Sequence, residues 1–188
     1  MKLINTLFIF SFSFLLASNI FAQVFDEAPS PTIPEDVLYL VVPPAYTAAP
    51  GTSTFLGPLA NAQRTYQLLI HEDLLDTLVG KELLAIAWRM PTSATANWPA
   101  AEVTYTNYDI YLSGSVPPNQ RSLTFAENVV GPQTQVRTGA LVIAAESYRF
   151  GDTPNSFGPA IMFDSPWLYN GGHLLIEIRH NGFTGTSR

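Results

Sequence analysis

The chain has no cysteine. That removes thiol nucleophiles, cysteine-ligated zinc and iron–sulfur centres, disulfide staples and any lipid-modified N-terminal cysteine. Positive charge is also scarce: nine Lys and Arg against fifteen Asp and Glu leave a net charge of −6, with no basic cluster. Nucleic acid and anionic membrane surfaces both require concentrated positive charge, so neither is an expected partner. Charged residues form 13% of the chain and hydrophobic residues 47%, the balance of a packed protein rather than a disordered one. Catalytic signatures are missing as well. There is no Gly-x-Ser-x-Gly elbow, no His-Glu-x-x-His pattern and no glycine-rich loop opening onto a helix. Serine hydrolase, zinc protease and nucleotide-binding readings therefore have no support.

Long apolar runs are absent except at the start. Lys2 precedes an uncharged stretch over residues 3–16, and Ile20-Phe21-Ala22 offers a small-residue exit ahead of Gln23. This is the layout of a secretory signal peptide over residues 1–22, and it places the product outside the cytoplasm, secreted or at the cell surface. The competing reading is an uncleaved anchor, but the run is shorter than the roughly 20 residues that span a bilayer, and Ser11, Ser13 and Ser18 dilute it. No membrane span is expected after its removal. Residues 23–36 read as a linker, since Pro29, Pro31 and Pro34 lack the amide donor that a central strand needs.

Residues 37–188 are long enough for one domain with a real core. Period-two alternation recurs along them. Tyr66, Leu68 and Ile70 share a face, as do Leu84, Ile86, Trp88 and Met90. In residues 103–113, Tyr108, Ile110 and Leu112 oppose Tyr105, Asn107, Asp109 and Tyr111; Leu174, Ile176 and Ile178 oppose His173, Leu175, Glu177 and Arg179. Further strands are expected at residues 37–42, 136–145 and 159–164, with a winding loop over residues 45–62. Asp73 is placed to cap a short helix that buries Leu74, Leu75, Leu78 and Val79 and ends at Gly80; a second helical turn is expected over residues 122–128. Many short strands separated by Pro- and Gly-rich turns predict an all-β fold, an antiparallel β-sandwich of jelly-roll type with one or two short helices.

Several of these segments carry a resemblance. Gln63-x-x-Tyr66-Gln67, Ile86-Ala87-Trp88-Arg89, Asp109-Ile110-Tyr111-Leu112-Ser113 and Thr124-Phe125-Ala126-x-Asn128 are followed by Val136-x-x-Gly139 and by Pro166-x-x-Tyr169-x-Gly171-Gly172-x-Leu174-Leu175-Ile176-Glu177-Ile178. The series is similar to an uncharacterised group of exported bacterial β-sandwich domains, in which a PEP-CTERM or type IX secretion sorting tail often follows the sandwich. Trp167 and Glu177 stand where that group carries Phe and Asp. The resemblance implies the fold and export, and no activity. Residues 181–188 read as the start of another loop, an expectation of a domain cut short of its last strand and anchor.

Candidate chemistry is sparse. Tyr105, Asn107, Asp109 and Tyr111 recur at about 7 Å along one strand face. Aromatic rings beside amide and carboxylate groups suit sugar rings, which offer apolar faces and hydroxyl edges. Ordinary cross-strand packing explains the same pattern, since Tyr is a favoured strand residue; on the binding reading the expected partner is a glycan or a cell-envelope component, met by a non-catalytic adhesion or recognition module. Glu72, Asp73 and Asp76 form the densest acidic cluster; paired carboxylates would suit a secreted carbohydrate-active hydrolase, although capping explains acids at a helix start equally well. A purely structural extracellular domain is the third alternative. Asp152, Asn155 and Asp164 carry oxygens of the kind Ca²⁺ takes, on loops where turn propensity also favours them; no other cofactor is indicated. His71, His173 and His180 read as surface or loop-edge imidazoles, and Glu177 and Arg179, two apart on one face, as an ion pair.

Overall fold

The computed structural model describes residues 5–10, 38–51 and 57–186, and the linker read over residues 23–36 lies outside them. Ten strands follow in chain order: β1 (Asn5–Phe10), β2 (Leu38–Val42), β3 (Ala62–Ile70), β4 (Lys81–Ala87), β5 (Val103–Tyr105), β6 (Tyr108–Ser115), β7 (Val129–Arg137), β8 (Leu141–Ile143), β9 (Ile161–Tyr169) and β10 (Leu174–Gly182). One sheet runs β2-β1-β4-β9 and the other β3-β10-β6-β7, with β5 and β8 paired as a small third ribbon. The fold is an all-β antiparallel sandwich. Its parallel pairings are those of β1 with β2 and β4, and β1 comes from the segment read as a leader.

The core lies between the sheets because the alternating apolar rows converge there. Ile110 and Leu112 of β6, Leu174, Ile176 and Ile178 of β10, and Leu83 and Ile86 of β4 join one cluster with Trp88, Met90 and Trp98. In β4 the alternation is interrupted. The pairing register slips between Leu83 and Ala85 on the β9 side, and between the partners of Thr6 and Phe8 on the β1 side. A bulge of this kind turns the strand by one residue. Leu83 thus joins the inter-sheet core in place of the expected Leu84, while Ala85 and Ala87 pack on the outer side with Val41.

Two expectations are corrected by local geometry. Residues 103–113 do not form one strand: β5 leaves the sheet to pair with β8, and β6 begins at Tyr108. Likewise residues 136–145 divide between β7 and β8, because Gly139 turns there with φ +88°. The expected helix at residues 73–80 is two successive 3₁₀ turns, Glu72–Leu74 and Asp76–Leu78. Its cap is the His71 side chain, whose Nδ1 accepts from the Asp73 amide at 3.3 Å, and not Asp73 itself. Leu75 and Leu78 are buried as expected, Gly80 ends the segment at φ +76°, and Val79 is 52% exposed. Among the described residues no helix is long and apolar enough to cross a membrane.

Candidate functional site

The expected face divides once the break at Thr106 is taken into account. Asn107, Asp109 and Tyr111 lie half-buried on the outer side of the second sheet. Tyr105 does not join them. It is 0% exposed, set edge-on to Tyr108 and His180 inside the core, and burial pushes its phenol far above the usual range.

Around Tyr111 the register assembles groups from all four strands. Gln67 of β3 pairs with Glu177 of β10, Glu177 with Tyr111 of β6, and Tyr111 with Gln135 of β7. Two residue pairs further on, on the same face, Arg179 stands opposite Asp109. The Arg179 guanidinium lies 4.3 Å from the Tyr111 ring centre, and its Nε donates to Glu177 Oε1 at 2.6 Å. Glu177 is 3% exposed and also accepts from Gln67 Nε2 at 2.5 Å. The ion pair anticipated between residues 177 and 179 therefore exists, with one buried and one half-exposed partner.

Why a carboxylate tolerates this burial is visible in its surroundings. The 3₁₀ turn Phe125–Asn128 folds over the face: Gln67 Nε2 also donates to the Phe125 carbonyl, and Asn128 Nδ2 donates to Gln67 Oε1 at 2.8 Å. Asn128 Oδ1 accepts from the Ser122 amide. These bonds fix Gln67, which with Arg179 supplies the donors a buried carboxylate requires. Beside them Asp109 accepts from Asn107 Nδ2 and from Thr138 Oγ1, each at 2.8 Å, so the carboxylate is held in one orientation. The result is a rigid platform. It combines a ring, a planar cation and an oriented carboxylate.

A concavity opens between β7 and β9. It encloses about 270 Å³ and is lined by Val130, Thr134, Trp167, Leu168, Tyr169 and His173. Its lining includes no acid. Glu72, Asp73 and Asp76 instead stand exposed on the two 3₁₀ turns.

Two histidines lie at loop edges as expected, and the third does not. His71 and His173, at the adjoining ends of β3 and β10, lie with ring centres 4.5 Å apart, and His173 Nδ1 accepts from the Glu72 amide. His180 is no surface imidazole: it is 2% exposed and lies parallel to Tyr108. Burial, then the nearby Arg64 charge, push it down to about 4.

The loop oxygens considered for Ca²⁺ are engaged separately. Asn155 is buried, accepting from the amides of Gly151 and Asp152 and donating to the carbonyls of Met90 and Pro91. Asp164 accepts from the Thr138 amide. Among the described residues no three His, Asp or Glu side chains lie close enough together to hold a metal ion.

Sequence reasoning missed the role of Arg137. Its guanidinium donates to the carbonyls of Tyr108, Gly139 and Ala140 and fixes the turn that carries Thr138 to Asp109. Comparison of the chain with protein families, curated proteins and solved structures yields no match. The fold and the platform define the chain as an all-β sandwich with a preorganised polar and aromatic sheet face.

Proposed function

We propose that the chain is a non-catalytic β-sandwich module, exported by its N-terminal leader, that recognises a glycan or glycan-bearing envelope component through the outer face of β6 and β10. The reading rests on one arrangement: Arg179 held over Tyr111 by Glu177, beside the Asn107–Asp109–Thr138 chain of hydrogen bonds. A sugar ring presents an apolar face with hydroxyls at its rim. Tyr111 supplies rigid contact area, Asp109 accepts from paired hydroxyls, and Arg179, its side chain 47% exposed, donates to ring or glycosidic oxygens. Because the groups are already locked, little side-chain entropy is lost on binding.

The test is retention of the exported chain on a panel of immobilised polysaccharides. Tyr111→Ala abolishes retention, and Arg179→Ala weakens it by at least about tenfold, the effect of losing one charge-assisted hydrogen bond. Tyr105→Phe is the control: it alters only a core residue and leaves retention unchanged. Equal retention by Tyr111→Ala and the wild type removes this face as the site.

A further inference from the structure

β1 poses a question of its own, because it lies inside the leader yet forms an interior strand of its sheet. Thr6 to Phe10 pair in parallel with Leu38 to Val42 of β2, and Asn5, Thr6, Phe8 and Ile9 pair in parallel with Glu82, Leu83, Ile86 and Ala87 of β4. Adjacent strands are about 4.8 Å apart, so β2 and β4 stand about 10 Å from each other and cannot bond directly without moving.

We propose, on the reading that the leader is cleaved, that its removal turns the slot between β2 and β4 into an acceptor for an extended, uncharged strand supplied in trans by another polypeptide and running parallel to β4. The composition of β4 supports this. Leu83, Leu84, Ala85, Ile86 and Ala87 are all buried, and both faces are apolar, which is the pattern of a strand with neighbours on each side. Stripped of β1, β4 presents a row of unpaired amides and carbonyls along an uncharged stretch from Leu83 to Trp88. Natural edge strands avoid that condition, because such an edge pairs with whatever strand it meets. Strand addition to an open sheet is an established recognition mode, in which main-chain bonds supply affinity and alternate side chains supply selectivity.

The chain's own neighbouring segment is a poor substitute. Residues 26–36 carry Asp26, Glu27, Glu35 and Asp36 together with Pro29, Pro31 and Pro34. Prolines break a central ladder, and the acids would be carried into an apolar groove. The chemistry of the fitting strand is instead that of Asn5–Phe10, Asn-Thr-Leu-Phe-Ile-Phe, six residues without charge or proline.

The experiment uses the exported chain as purified after processing, its N-terminus read by mass spectrometry and its mass in solution by light scattering. Hydrogen exchange is followed in β2 and β4, with and without a synthetic peptide of the Asn5–Phe10 sequence flanked by lysines for solubility. A start at Gln23, rapid exchange in β2 and in the β4 amides that faced β1, and slowing of these by at least about tenfold on adding the peptide support the acceptor slot. The same peptide carrying Phe8→Pro has no effect, because it loses a ladder amide. Protection of those same amides without peptide in a monomer means that β2 has closed on β4, and overturns the proposal. Protection in a dimer makes a second copy the occupant and overturns it too, as does a peptide that changes nothing. An intact Met1 defeats the leader reading itself, a failure distinct from that of the slot.

Discussion

His180 lies face to face with Tyr108, the two rings 4° from parallel with centres 5.5 Å apart, while Tyr105 meets the imidazole edge-on at 5.0 Å. His180 Nδ1 accepts from the Gly182 amide at 3.0 Å, which places the ring proton on Nε2. A second proton would break that bond and charge a ring enclosed by aromatics, with Arg64 as a nearby cation. The depressed value near 4 follows from this burial first and from Arg64 second. In the unfolded chain the same group titrates near 6.5. The unfolded state therefore binds more protons between those values. The stability contributed by the neutral imidazole is complete above about pH 6.5 and is lost as pH falls towards 4, by an amount on the order of 3 kcal/mol. Urea unfolding at pH 7.0, 5.5 and 4.5 measures it. His180→Phe flattens this part of the pH dependence; an unchanged slope in that variant assigns the acid sensitivity elsewhere.

Glu177 holds the outer face of β6 and β10 together from beneath. It is the acceptor for both Gln67 and Arg179. Glu177→Ala leaves Gln67 with an unmet donor and frees Arg179 from Tyr111. Because Arg179 is half-exposed, water screens part of the loss, and a destabilisation of about 1–3 kcal/mol is expected. Retention on a polysaccharide falls together with stability. Glu177→Gln keeps one of the two acceptor oxygens and loses less of both. A Glu177→Gln variant as weak as Glu177→Ala shows that the negative charge, rather than the hydrogen-bond geometry, holds Arg179.

The register of the outer face was legible because Leu174, Ile176 and Ile178 alternate without interruption, and β6 repeats the pattern at Ile110 and Leu112. Asn107, Asp109 and Tyr111 could be placed outward from those rows alone. Tyr105 was not, since parity was carried through Thr106, where the chain leaves one sheet for another. Nothing local at that residue announces a pairing with β8, whose partner segment lies more than thirty residues onward. The bulge at Leu84 evades an alternation count for a related reason: a run apolar on both faces reads the same in either register. His71 and His173 are far apart in the chain, and only the pairing of Ile70 with Leu174 brings them together. The 3₁₀ turns at residues 72–78 satisfy the same capping and leucine spacing as a short helix, so composition alone does not separate the two.

Asn155 closes the loop before β9 onto the segment that follows β4. Its four hydrogen bonds, to Gly151, Asp152, Met90 and Pro91, lie between 3.0 and 3.1 Å. Asn155→Ala removes them all and lowers unfolding stability by about 2–3 kcal/mol, as chemical denaturation would read. Asn155→Asp retains the acceptor but turns an oxygen towards two carbonyls. Its deficit grows as pH rises through the carboxylate range, the opposite sign to the His180 effect. A pH-independent deficit in Asn155→Asp would show that the loop reorganises around the carboxylate.

Gly158 has no room for a side chain. A Cβ placed there would fall 2.3 Å from Cε1 of the Tyr148 ring, and Tyr148 is itself held in the core by Trp98. Nor is the backbone free to retreat: the Gly158 amide donates to the Trp88 carbonyl at 2.8 Å, and Phe157 bridges to Arg89. Arg89 in turn donates to the carbonyls of Tyr46 and Ala49, so a shift at Gly158 pulls on the loop at residues 44–50. Gly158→Ala is therefore expected to lose about 2–4 kcal/mol, at the upper end for one added methyl group. The cause can be isolated by shortening the ring it strikes. In a Tyr148→Leu background the clash partner is gone, and adding Gly158→Ala costs at least about 1 kcal/mol less than it does in the wild type. Additive losses in that double-mutant cycle would place the strain in the backbone at Trp88 and Phe157 rather than in the contact with Tyr148.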